Sequence, residues 1–364
     1  MSRAVDASVR LPRAFAALAL ASTAALVPAC ICSRPDASGT KDLGSEAVAA
    51  AKSLTLDHDG LQRDLAALTT TPHVFGTPRQ GEIITWLAGR LQQVGTTVHR
   101  EEFTASVPNP AAAEGASGPV AFTVDRAGTN LWAMDVTRAD APCVVAIASH
   151  FDTKDVPGAS YLGANDSGSS TAALVGIVAE LKKRGAASLG TTCDVVGAFF
   201  DGEEAVLFNW DDGERRHPAK IVDHTYGSRY AAGRLTTCTY RNAPSHCLPA
   251  DLGGKPLVGL VLMDMIGSPS VRISRDANST PALVALAAKA AKDLGTPDLY
   301  LTTAHGIEDD HMPYLEHGVP ALDLIDFEHL SHWHAAGDDV ATLSADSMDQ
   351  ASRLAVAVAV ALAR

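Results

Sequence analysis

The chain has 364 residues, 46% of them hydrophobic and 20% charged, with a formal net charge of -13. That length can bury a large core as one α/β domain or two smaller ones. The acidic balance leaves no basic stripe to meet phosphates, which excludes a nucleic-acid partner.

The N-terminal segment 1–30 reads as an export signal outside the fold. Arg3, Arg10 and Arg13 precede the apolar run AFAALALASTAALV, which has signal-sequence length and is too short to span a membrane comfortably. It ends in LVPAC, which resembles a bacterial lipoprotein cleavage box with Cys30 as the lipidated residue. Lipid anchoring at Cys30, the one membrane attachment expected, and simple cleavage with free secretion both fit. The protein is thus expected in the periplasm, on the cell envelope or outside the cell. Residues 31–55 are polar at first and read as a flexible tether, and 56–364 as a single catalytic domain.

Along that domain, ITWLAGRLQQVG has apolar residues at helical spacing and stops on Gly95, a C-cap candidate. TTVHREEFTA and NLWAMDV alternate like half-buried strands. CVVAIASH, CDVVGAFF and LVGLVLMDMI are near-continuous apolar runs, the pattern of central strands covered on both faces. SGSSTAALVGIVAELKKRG is a helix from its small polar start to its basic end at Gly185. GVPALDLI is a further short strand, and a terminal helix opens on Ser344. Strands alternating with helices predict an α/β fold: one domain with a central mixed, mostly parallel twisted sheet and helices on both faces.

In such sheets ligands bind beyond the carboxyl ends of the strands. His150 and Asp152 follow the first central strand, Asp201, Glu203 and Glu204 the second, and Asp264 ends the third. Singly, each motif has a bland reading: HFD as a capped turn, GANDSGSS as a helix N-cap, EDDHMP as a solvated charge run, HLSHWHAAGDD as a polar loop. Together they converge. Three carboxylates behind a buried strand need positive compensation. Asp166, Glu204 and His334 offer zinc two carboxylates and an imidazole from three loops, a donor set with room for an open position. Glu203 diverges from its neighbour and is better placed as a general acid/base. Asp201 reads as a brace for the turn.

The segments HVFGTPRQ, ASHFDTK, GANDSGSSTAAL, FFDGEEA, TYGSRYAA, LVLMDMIGSP, IEDDHMPYLEHGVPALDLI and WHAAGDD follow one another from about residue 57 to the C-terminus. In that order they resemble the zinc-dependent, animal-type glutaminyl-peptide cyclotransferases within the wider zinc aminopeptidase superfamily. FFDGEEA, WH and DDH match the cyclase branch rather than the two-metal aminopeptidases. The resemblance implies a zinc-exopeptidase-like fold and one zinc ion per chain on Asp166, Glu204 and His334. It implies Glu203 as proton shuttle with Asp264 and Asp309 in its network, and Trp333 and Ile307 lining the pocket for the substrate's glutamine side chain. Peptides or proteins with N-terminal Gln are the implied substrates, and a monomer is expected. The alternative is a secreted two-metal aminopeptidase, in which His150 and Asp264 complete a second metal site. Asp152 orients His150 in either branch. A non-catalytic relative is the third reading, disfavoured because every ligand type is retained.

This chain departs from the family at Ser149 and Thr171, where many animal members hold a cysteine pair. It departs also at Glu308, where Gln is common, and in a longer insert after the glutamate pair that leaves Trp210 without an assigned role. Export permits disulfides among the four cysteines beyond the tether. Cys238 and Cys247 flank a short loop, and Cys143 and Cys193 each begin a predicted strand.

Overall fold

The computed structural model describes residues 44–113, 121–208 and 222–364. The export signal, Cys30, the first part of the tether and Trp210 lie outside the described residues. The expected strands form. In chain order β1 is Thr97–Pro108, β2 Thr123–Met134, β3 Val144–His150 and β4 Asp194–Phe200. A two-stranded hairpin follows, β5 Thr236–Tyr240 with β6 Ala243–Cys247, and then β7 Leu257–Asp264. The last strands are β8 Ile273–Asp276, β9 Tyr300–His305 and β10 Ala321–Ile325.

Eight of these make one sheet in the order β1-β2-β4-β3-β7-β10-β8-β9. Its centre, β4-β3-β7-β10, is parallel. On one side β2 and β1 run antiparallel, and on the other β8 is antiparallel to β10 and parallel to β9. Every residue of β3, β4 and β10 is buried, as two covered faces require. Alternate side chains feed two cores: Val145, Ile147, Val195 and Phe199 on one face, Val144, Ala146, Ala148 and Phe200 on the other.

The helices are α1 Gly44–Lys52, α2 His58–Leu68, α3 Pro78–Val94, the single turn α4 Pro110–Ala113 and α5 Ser170–Leu189. Beyond them lie α6 Tyr226–Gly233, α7 Pro281–Leu294, the short α8 Met312–Glu316 and α9 Ala345–Ala363. Helix α3 starts on Pro78 with Thr77 capping Gln80 N–H, and ends on Gly95 at φ 89°, where a side chain would strain the backbone. Helix α9 is buried on almost every side. Its Ala/Val surface lets α1, α5, α7 and the strands β3, β4 and β7 approach closely, and Ser344 caps it by accepting from Ser347 N–H.

Two expectations need correction. The tether does not reach residue 55: Ala47, Ala50 and Ala51 of α1, with Leu54 and Leu56, are buried in the main core. Asp349 of α9 binds Leu56 N–H and the His58 ring, and Glu46 pairs with Arg364. The alanine spacing i, i+3, i+4 carries that contact, and the polar residues before it mask it in the sequence. Helix α5 also runs past Gly185. That glycine interrupts the helix at φ 68° and ψ 165°, and the turn closes at Gly190.

Cys143 pairs with Cys193 across the starts of β3 and β4, and Cys238 with Cys247 across the hairpin. Two disulfides suggest an oxidising compartment. No described helix is long and apolar enough to cross a membrane. The first bridge closes a separation of 50 residues and the second one of 9. Loop entropy then predicts that Cys143→Ser/Cys193→Ser loses about 4 kcal/mol of stability and Cys238→Ser/Cys247→Ser about 2.5 kcal/mol. Urea unfolding of the two double variants checks that order.

Candidate metal centre and its pocket

The carboxyl ends of the parallel strands deliver the polar residues to one place, as the topology requires. His150 ends β3 and Asp264 ends β7. The turn after β4 carries Asp201, Glu203 and Glu204. A tight turn over 164–169 ahead of α5 carries Asp166, with non-helical backbone at Asp166 and Ser167. The loop after β10 brings Trp333 and His334, the latter at φ 49°.

Asp166 sits at the middle of the cluster. Its Oδ1 is 3.2 Å from His150 Nε2, its Oδ2 is 3.2 Å from His334 Nε2, and Tyr161 donates its hydroxyl to Oδ2 at 2.8 Å. Glu204 Oε1 is 3.1 Å from His334 Nε2, and Asp264 Oδ1 is 3.4 Å from His150 Nε2. Two donor sets result, Asp166–Glu204–His334 and His150–Asp166–Asp264, each with ligand atoms within 4.8 Å of one another. All are buried or nearly so.

Both sets fit a divalent cation. The donors are the nitrogen and carboxylate oxygens zinc prefers. Glu204 Oε2 is buried without a hydrogen-bond partner, a cost that an ion offsets, and the His150 ring nitrogens face only carboxylates, Asp152 at 3.5 Å, Asp166 at 3.2 Å and Asp264 at 3.4 Å. The imidazoles also compensate the carboxylates. Burial pulls the His334 ring down, but the Glu204 charge and bonds to Asp166 and Glu204 raise it to about 10. Burial would raise the Asp166 carboxyl, yet bonds from His150 and His334 hold it well below the usual carboxylate range.

The glutamate turn is held from both sides. Asp152 accepts from Glu203 N–H at 3.0 Å and Glu204 N–H at 3.2 Å, whereas His150 Nδ1 is farther, at 3.5 Å. Aiming the paired glutamates is therefore its stronger contact, and orienting His150 the weaker. Asp201 accepts from Gln80 Nε2 at 2.6 Å and Thr129 N–H at 2.9 Å, tying the turn to α3 and β2. Lys154, fully buried, donates to the carbonyls of Ala205 and Leu207 and lies 3.9 Å from Glu204 Oε2.

Glu203, Asp264 and Asp309 line one pocket with Asp166, Ile307 and Trp333. Burial, with further contributions from Asp309, Glu204 and Asp310 against the opposing His150, pushes the Glu203 carboxyl well above its ordinary range. Asp309 is raised in the same way, by burial and then by Asp264 and Asp310. The apolar wall consists of Met265, Ile307 and Ile325 with Phe327 against them. Trp333 stacks on His334 with ring centres 4.3 Å apart and remains 37% exposed.

The candidate residues Asp166, Glu203, Asp264, Ile307, Asp309, Trp333 and His334 thus lie around this pocket, with Glu204 and His150 in the donor sets and Asp152 and Asp201 holding the glutamate turn. Tyr161, Lys154 and Asp338 were missed. Asp338 accepts from Asn165 N–H at 2.7 Å and Asp166 N–H at 3.2 Å, fixing the Asp166 turn. WHAAGDD contains Asp338 and ASHFDTK contains Lys154, but neither motif tells which backbone a side chain will reach. Ser149 Oγ and Thr171 Oγ1 lie 3.1 Å apart in a buried hydroxyl cluster with Ser170.

The profile of peptidase family M28 matches residues 130–359, well over half of the chain. A glutaminyl-peptide cyclotransferase of Dictyostelium discoideum is 24% identical over 227 residues, 59% of this chain and 59% of that protein. The chain spans about three fifths of the length of the curated relatives it matches. Glutaminyl cyclase from an Acidobacteriales bacterium superposes with a TM-score of 0.64 at 23% identity, over 88% of this chain and 96% of that one. A leucine aminopeptidase precursor from Bacteroides thetaiotaomicron gives 0.63 at 16%, over 87% and 98%. At such identities the superpositions establish a common fold. The sheet order, the clustered donors and the profile match agree: the chain belongs to peptidase family M28.

Proposed function

We propose that the chain is a zinc-dependent glutaminyl-peptide cyclotransferase, converting N-terminal Gln of peptides or proteins to pyroglutamate with release of ammonia. One observation carries this reading: Glu203, Asp264 and Asp309 share a pocket with Ile307 and Trp333, directly beside the Asp166–Glu204–His334 donor set. The cyclotransferase names of its sequence relatives support it.

Zinc, when bound to Asp166, Glu204 and His334, supplies a Lewis acid for the side-chain carboxamide oxygen. The remaining chemistry falls to side chains. The Glu203 carboxylate takes a proton from the substrate's α-amine as that nitrogen bonds to the carboxamide carbon. It returns the proton to the departing nitrogen as the carbon–nitrogen bond breaks and ammonia leaves. Its raised carboxyl range suits both halves of that cycle. Asp264 and Asp309 line the pocket beside Glu203 and form the polar network in which its proton is held between the two transfers. Attack is intramolecular, so the pocket's task is to hold the folded side chain and exclude water. Ile307 and Trp333 provide the apolar surfaces for that. Trp333→Ala is expected to raise KM for a Gln peptide by about tenfold, at the upper end of one aromatic contact, with kcat little changed. Steady-state kinetics separate the two.

A second reading has its own support. Asp166 is common to both donor sets, the arrangement a two-metal aminopeptidase needs. Arylamide substrates separate the activities. With the Gln compound the cyclase reading requires ammonia without free arylamine, and with the Leu compound no arylamine. Arylamine from the Leu compound would sink it. Export through segment 1–30, with lipidation at Cys30 or free secretion, belongs to the same proposal, and mass spectrometry of the mature N-terminus reads it directly.

A further inference from the structure

The loop that carries Asp309 is anchored by a carboxylate outside the pocket. Asp276 ends β8 and is 1% exposed. Its Oδ1 accepts from Ile307 N–H at 3.1 Å and from Asn278 N–H at 3.1 Å. Its Oδ2 accepts from Ser279 N–H at 2.6 Å and Ser279 Oγ at 2.7 Å, and lies 3.0 Å from Nε2 of the fully buried His311. Asn278 completes the grip by donating its side-chain amide to Ile307 carbonyl at 2.8 Å. Residue 307 is therefore held at both its N–H and its carbonyl, and residue 311 by its ring. The segment between them contains Asp309, whose Oδ1 accepts from Asp310 N–H at 2.5 Å. Burial disfavours charge on Asp276, but the His311 bond and charge and the Ser279 bond bring its carboxyl to about 2, so the anchor is ionised.

We propose that Asp276, assisted by Asn278, is a positioning residue for the pocket. It holds the stretch 307–311 at both ends and so fixes the Ile307 wall and the placement of Asp309 opposite Glu203. Neither residue belongs to the donor sets or reaches the pocket, so the effect acts through Ile307 and His311. The kinetic part of the inference rests on the cyclase reading; the mechanical part does not.

Asn278 is exposed, and Asn278→Ala removes one contact to Ile307. It is expected to raise KM for a Gln peptide by about threefold, the size of one hydrogen bond, with kcat and zinc content retained. Asp276→Ala releases both ends of the stretch and is expected to lower kcat/KM by about a hundredfold, as a misplaced pocket wall does, through both KM and kcat. Asp276→Asn keeps an acceptor for Ile307 N–H and should recover part of the KM effect. In parallel, hydrogen exchange of the peptide covering 305–312 is read by mass spectrometry on the zinc-loaded proteins. Exchange should speed up there in both Asp276 variants. Should Asp276→Ala fail to fold, Asp276→Asn and Asn278→Ala decide by the same readouts. Wild-type KM in those two variants with unchanged exchange over 305–312 overturns the proposal. If wild-type protein releases no ammonia from Gln peptides, the cyclase reading fails by itself, and the exchange measurement alone supports or overturns the anchoring.

Discussion

Glu203→Gln is expected to lower kcat by about a thousandfold, within the range for removal of a general acid/base, while zinc content and melting temperature stay at wild-type values. The substitution keeps volume and hydrogen-bonding capacity but removes the proton-carrying group. Glu203 lies outside both donor sets, and its backbone contacts, N–H to Asp152 and carbonyl to Thr225, are untouched. The turn should therefore still present Glu204 correctly. KM should change little, because the pocket walls are intact. Zinc analysis beside steady-state kinetics checks the separation. Loss of metal in this variant would mean that the division of labour between the adjacent glutamates is wrong.

Asp166→Asn should have the opposite signature. This carboxylate belongs to both donor sets, accepts from Tyr161 and lies within 3.2 Å of two imidazoles. A neutral amide is a poor zinc ligand and cannot balance His150 and His334. The protein should lose its zinc on dialysis against a mild chelator, and activity with it, by at least about a hundredfold. His150→Ala provides the contrast. With one zinc on Asp166, Glu204 and His334, this variant keeps its ion; with two ions, it loses one. Metal-to-protein ratios for wild type, Asp166→Asn and His150→Ala are three numbers that distinguish the arrangements.

The central strands were legible in the sequence because a strand covered on both faces leaves a continuous apolar run, and the α/β reading followed from their alternation with helices. The site was legible for a related reason. Charges directly after such runs have few structural uses, so His150, Glu204 and Asp264 stood out. Other parts were hidden by their chemistry. Helix α1 buries only alanines, which give a weak hydrophobic signal. Strands β8 and β9 lie toward the sheet edge, and β9 is mostly exposed or half-exposed. Asp276 sits among Ser, Arg and Asn in a stretch that reads as a polar loop. Its importance comes from contact with Ile307 and His311, about thirty residues away in sequence, and no local pattern encodes that. Asp338 and Lys154 were hidden likewise, since both act by bonding backbone that only the fold brings near.

The most direct test of the central claim is mass spectrometry of a peptide with N-terminal Gln after incubation with the purified, zinc-loaded protein. The account predicts a product that has lost one ammonia and kept every residue, with a blocked N-terminus. A product shortened by its first residue would contradict it and make this chain an aminopeptidase.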